Sequence, residues 1–176
     1  MKPFITTFTG RKVNPLDLKP EDIDIRDIAH ALAQCNRFAG HARRPISVAY
    51  HSVWVSRLAE PYGLAGLLHD ASEAYLGDVT RWLKQSPEME AYRMAEDVAQ
   101  ATIYTKFNCL PPDLTSITWA DDILVRFEYE MAYCEAPEFF HGALSKPTRR
   151  LLDGWQFVTW EEAESLFLMR FADLKR

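Results

Sequence analysis

The sequence predicts an all-α fold with a short N-terminal β-hairpin. Three observations carry that reading: apolar residues recur at helical spacing, capping signals punctuate the periodic stretches, and only one segment alternates like a strand pair. That segment, Phe4 to Val13, is rich in β-branched residues and broken by Thr9-Gly10, as a hairpin would be.

The helices follow in order. Ile25, Ile28, Ala29 and Leu32 share one face, and Val48, His51, Val55 and Leu58 share another, so both stretches read as amphipathic. Leu64 to Tyr75 reads as a third helix, with Leu67, Leu68, Ala71 and Tyr75 on its apolar side and Gly77 at its end. Ser86-Pro87 supplies an N-cap and a first-turn proline for a helix to about Ile103, and Pro111-Pro112 stops anything beyond it. The next helix is expected from about Thr118, with Ile123, Leu124, Phe127 and Met131 in phase, closing near Cys134 before Pro137. Thr159-x-x-Glu162 is a capping box opening a last helix with Phe167, Leu168, Phe171 and Leu174 inward.

The 176 residues suit one domain over 1–176, and 48% hydrophobic content does not suit a disordered chain. Cys35, Cys109 and Cys134 are odd in number and form no CxxC pair, so neither a disulfide framework nor a cysteine-built zinc site is expected. A reduced cytoplasm is the expected setting. The start MKPFITTFTG lacks the apolar core of a signal peptide, and no apolar run approaches the ~20 residues that span a bilayer. A formal net charge of −5 argues against duplex nucleic acid as the main partner, while a small phosphorylated ligand needs only a few local cations.

The most informative residues are His69-Asp70, set in the apolar stretch LAGLLHDASEAYLGD. An unpaired buried carboxylate costs several kcal/mol, and a divalent cation would compensate it; His and Asp are ordinary ligands for Zn, Mn, Fe or Co. Adjacent helical residues diverge by about 100°, so further ligands must come from other helices. His51 and Asp122 are the candidates: His51 shares a face with Val48 and Val55, and Asp122 directly precedes Ile123, Leu124 and Phe127. Glu73 follows His69 by one helical turn, placed to reach a water, and Asp78 follows Gly77, placed for proton transfer. Arg37 and Lys84 are preferred among nearby cations, over Arg43, Arg44 and Arg81, to neutralise a phosphate. Trp82, Phe38 or Ile23 to Ile25 offer an apolar wall for a base. Taken singly, each residue has a plainer reading as packed core, turn or solvated charge, and their joint order points to a site. His30, His141 and the cysteines read as structural.

The order H…HD…D resembles the HD-domain phosphohydrolases. The blocks CNRFAGHARRPISVAYHSVWVSRLA, GLLHDASEAYLGDVTRWLK and WADDILVRFEYE look like the small deoxynucleotide phosphohydrolases among them, which include bacterial 5′-deoxynucleotidases and phage dATP triphosphohydrolases. The stretch TTFTGRKVNPLDLKPEDIDIRDIAHAL is most similar to the latter. The resemblance implies a compact HD-domain helical bundle holding a divalent metal ion (Zn, Co, Mn, Fe or Mg) on His51, His69, Asp70 and Asp122. It further implies Glu73 and Asp78 as catalytic carboxylates, and Arg37 of Asn36-Arg37-Phe38 and Lys84 as substrate-binding cations. The implied reaction is hydrolysis of dATP to deoxyadenosine and triphosphate by a cytoplasmic homo-oligomer. The alternatives are a 5′-deoxynucleotidase acting on monophosphates and a non-catalytic nucleotide-binding protein. One departure is visible: relatives commonly carry an acidic or amide residue before the first metal histidine, whereas Tyr50 precedes His51.

Overall fold

Helices carry almost all of the regular secondary structure among the described residues. The computed structural model describes residues 4–111, 113–133 and 144–176, so Pro112, Cys134, Pro137 and His141 lie outside the described residues. Strands β1 (Ile5–Thr6) and β2 (Lys12–Val13) pair antiparallel, with Ile5 opposite Val13 and Thr6 opposite Lys12. Gly10, at φ +84°, closes their turn. Thr9 anchors that turn by donating its N–H and hydroxyl to the two oxygens of Asp27, at 2.6 and 2.9 Å.

Asp27 belongs to α1 (Ile25–Gln34), whose first turn is capped by the Asp24 side chain and which buries Ile28, Ala29, Leu32 and Ala33. Helix α2 (Val48–Leu58), capped by Ser47, differs from the amphipathic expectation: every residue from Val48 to Ser56 is buried. It runs through the middle of the molecule against α1, α3 (Gly63–Leu67), α7 (Thr115–Tyr133) and α9 (Trp160–Leu174), so no face is left for water. Close approach of α3 depends on Gly66, where a Cβ would stand 3.1 Å from the Ala59 Cβ and 3.2 Å from the Ser56 Cα.

The continuous helix expected from Leu64 to Tyr75 is broken. Residues 68–72 form turns between α3 and the single-turn α4 (Glu73–Leu76), which ends at Gly77 with φ +82°. The Gln100 side chain bridges the break, donating to the Leu68 carbonyl at 2.6 Å and accepting the Ser72 N–H at 3.1 Å. Gln100 sits on α6 (Glu90–Phe107), which follows α5 (Arg81–Lys84) and a 3-10 turn at Pro87–Met89 and ends with Asn108 in the left-handed region. Helix α7 starts three residues before Thr118, at Thr115, whose N–H is accepted by Asp113. Helix α8 (Lys146–Arg150) precedes α9, which opens with the Thr159/Glu162 capping box as expected.

The fold is thus mostly α with a short N-terminal hairpin. Its core gathers Ile28, Leu32, Leu67, Leu68, Ile103, Leu124 and Phe167, all fully buried. Among the described residues no helix is long and apolar enough to cross a membrane.

Candidate metal centre

His51 enters the centre from α2, fully buried. Its Nδ1 lies 3.1 Å from the Glu128 carboxylate, which can only accept, so Nδ1 carries a hydrogen and Nε2 faces the centre. His69 comes from the turn after α3, with Nδ1 donating to the Gly66 carbonyl at 2.9 Å, and its Nε2 is turned to the same place. The rings stand 5.3 Å apart between centroids. Asp70 Oδ2 lies 3.1 Å from His69 Nε2, 3.9 Å from His51 Nε2 and 3.7 Å from Arg37 Nη1. Asp121 Oδ1 lies 3.1 Å from His51 Nε2.

Both Nε2 atoms are buried, yet neither has a hydrogen-bond partner, despite carboxylate oxygens close by. Ring nitrogens with fixed tautomers and carboxylates converging without hydrogen bonding to one another are what a shared cation requires. One ligand atom each from His51, His69 and Asp70 falls within 4.8 Å of the others, so this cluster can hold a metal ion.

The fourth carboxylate differs from the expected one. Asp122 is half-exposed and accepts from Arg81 Nη1 at 3.2 Å, while its neighbour Asp121 reaches His51. The reason is helix phase. The buried stripe of α7 runs Ile117, Ala120, Leu124, Phe127 and Glu128, and Asp121 lies on it, three residues before Leu124 and seven before Glu128. Asp122 is turned about 100° away, toward the rim. Arg81 ties the two aspartates together, since its Nη2 reaches Asp121 Oδ2 at 3.1 Å.

Glu73 is buried at the start of α4; its Oε1 accepts from Lys84 at 3.4 Å and its Oε2 has no partner. Burial, then the charges of Asp70 and Asp78, hold the Glu73 carboxyl well above its ordinary range. Burial also raises the Asp78 carboxyl, with Arg37 opposing it and Asp70 adding to it. Asp70 moves the other way: burial would raise it, but His69, His51 and Arg37 outweigh burial and keep it ionised. Burial and Arg37 pull His51 down, yet Glu128 and Asp121 prevail and leave its pKa raised to about 9.

The cations are more tightly engaged than the sequence suggested. Arg37 is largely buried and donates from Nε to Glu128 at 2.8 Å. Lys84 is held by Glu96 at 2.6 Å as well as by Glu73. Directly after Arg37 the backbone turns through left-handed Phe38 (φ 58°) and Ala39 (φ 51°), a conformation that costs non-glycine residues about 1–3 kcal/mol each. The Phe38 ring packs edge-on against Tyr129 and Tyr133. Of the other candidates for an apolar wall, Ile23 is buried in the core and Trp82 is exposed. Tyr50 turns into the core, where it packs against Trp54 and Trp155 and accepts the Gln156 N–H at 3.3 Å. His30 is stacked on Phe8 and bonded to Glu164 and Gln34, a structural role as read.

Fold and centre together define a mostly helical protein with a partly buried histidine–carboxylate cluster that could hold a metal ion. The chain is 36% identical over 172 residues to the uncharacterized protein YfdR of Escherichia coli, covering 97% of this chain and 95% of that one, and it belongs to that family. It is also 36% identical over 136 residues, 69% of each chain, to an uncharacterized protein of Rhodobacter capsulatus. No protein-family model matches it.

Proposed function

We propose that this protein is a metal-dependent phosphohydrolase of the HD type acting on deoxynucleotides, with dATP as substrate and deoxyadenosine and triphosphate as products. The observation that carries the reading is the pair of buried, unpartnered nitrogens, His51 Nε2 and His69 Nε2, facing Asp70 and Asp121 beside Glu73. The donor set of two imidazoles and two carboxylates fits a divalent ion of the Zn, Mn, Fe or Co type. Such an ion, held by His51, His69, Asp70 and Asp121, would supply a water of lowered pKa and a Lewis acid for a phosphoryl oxygen.

The chain's own residues divide the remaining work. Glu73, with one free oxygen in the pocket wall, orients the attacking water; the charge of a divalent ion beside it would oppose the burial that raises its carboxyl and leave a carboxylate to take that water's proton. Asp78, whose carboxyl burial shifts upward, is placed to donate to the departing 5′ oxygen. Arg37 and Lys84 offset the charge that a phosphoryl transition state spreads over its oxygens. Arg81 stands half-exposed beside them and adds a third cation at the rim.

Incubating the metal-loaded protein with each dNTP and dNMP and identifying the products tests the proposal. Triphosphate from dATP supports it, orthophosphate from monophosphates identifies a 5′-deoxynucleotidase instead, and no turnover with any divalent metal overturns hydrolysis.

A further inference from the structure

Glu128 lies outside the ligand set and carries no catalytic assignment, yet it is fully buried in α7. A buried carboxylate needs compensation worth several kcal/mol, and here it is concentrated on one oxygen. Oε2 accepts from Arg37 Nε at 2.8 Å and stands 3.1 Å from His51 Nδ1, while Oε1 is buried without a partner. Asp27, under the hairpin, has both oxygens engaged instead.

Helix α7 therefore grips one imidazole at both nitrogens. Asp121 approaches Nε2 and Glu128 approaches Nδ1, each at 3.1 Å. The two carboxylates are seven residues apart, two turns along one stripe, where a helix drifts only about 20°. We propose that Glu128 is a positioning residue of the metal centre, whose charge fixes the His51 ring for a divalent cation and, through the same oxygen, seats Arg37 for an anion. The inference rests on the metal-centre reading above. Its chemistry is one of compulsion: a carboxylate offers His51 no donor, so Nδ1 must carry the hydrogen and Nε2 is left to the cation. A glutamine at 128 could donate its amide N–H to Nδ1, allowing the opposite tautomer, with a hydrogen on Nε2 where the cation belongs.

The experiment compares metal-stripped wild type, Glu128→Gln and Glu128→Asp. Co²⁺ dissociation constants come from chelator competition, and thermal midpoints are measured on the metal-free proteins. The expected result is a 10–100-fold loss of Co²⁺ affinity in Glu128→Gln, the range typical of groups that orient metal ligands, with most of it recovered in Glu128→Asp. A merely structural role would lower the thermal midpoint and leave the affinity of the folded protein unchanged, which would overturn the inference. Wild type that takes up no Co²⁺ would overturn both this inference and the metal-centre reading, whereas equal binding by wild type and Glu128→Gln overturns this one alone. Should Glu128→Gln fail to fold, ¹⁵N shifts of the His51 ring in the Co²⁺-free and Zn²⁺-loaded wild type decide. A protonated Nδ1 with Zn²⁺ at Nε2 supports the inference, and Zn²⁺ at Nδ1 overturns it.

Discussion

Two regions of this molecule bury carboxylates, and they do so differently. Under the hairpin, Asp27 has both oxygens satisfied by Thr9, and the result is a docked turn. Around α2, Glu73 and Glu128 each keep a buried oxygen without a partner, beside two imidazole nitrogens in the same condition. Burial alone does not set the two regions apart, and the saturation of their hydrogen bonds does. Unmet polar groups are costly, so a cluster of them in one place points to something that binds there.

The largest effect should come from the paired aspartates of α7. Asp121→Asn is expected to lower hydrolysis at least ~100-fold and to weaken metal retention, whereas Asp122→Asn should stay within about twofold, because Asp122 meets only Arg81 at the rim. Steady-state rates and metal content by mass spectrometry decide between them, and the reverse order would put Asp122 back in the centre.

Next comes Glu73. Glu73→Gln should retain metal while turnover falls by about 10²–10⁴-fold, the usual range for a lost general base. The same substitution has a signature without substrate. Because the Glu73 carboxyl is raised in the fold, its stabilising contribution is complete below its ordinary 4.5 and is lost as pH rises toward the folded value. Denaturant titrations of the metal-free protein from pH 5 to 9 should therefore show wild type losing stability with rising pH and Glu73→Gln losing less of it. Parallel curves would remove Glu73 from the buried cluster.

The hairpin region should respond in stability alone. Asp27→Ala strands the Thr9 N–H and is expected to cost about 1–3 kcal/mol, with metal content unchanged. The smallest effect belongs to Asp24, whose pKa is lowered to about 2, mainly by its side-chain hydrogen bond to Arg26. A lowered carboxylate stabilises above its ordinary 3.8, and that contribution fades as pH falls toward 2. Asp24→Asn keeps the cap and should flatten only that acid limb, while Asp24→Ala loses the cap as well, at about 1 kcal/mol. Thermal melts between pH 2 and 5 would separate the two.

Local rules made much of this legible. The hairpin, the capping box at Thr159 and the stop at Gly77 are properties of a few consecutive residues, and those read directly. So did the inward face of His51, while His69, Asp70 and Glu73, read on one continuous helix, lie in and just after the turns at 68–72. What escaped depends on partners distant in sequence. Helical periodicity persists through residues 68–72, but the backbone breaks there because Gln100, 28 residues beyond Ser72, supplies the lost hydrogen bonds. Between Asp121 and Asp122, anchoring the phase on Ile123 favoured Asp122, whereas it is Asp121 that reaches His51. The signal available was the spacing of Asp121 to Leu124 and Glu128, with a glutamate standing at a core position of the stripe. Glu96 and Arg81 had no local signature, since their roles arise only where α5 packs beside α6 and reaches across to α7.

Equilibrium titration of the metal-stripped protein with Co²⁺, following bound metal and released protons together, tests the central claim most directly. Because the His51 pKa is raised to about 9, binding near pH 7.5 must displace its proton. The account predicts saturation accompanied by proton release, abolished by Asp70→Asn. Absence of saturable binding, or saturation untouched by Asp70→Asn, would contradict it.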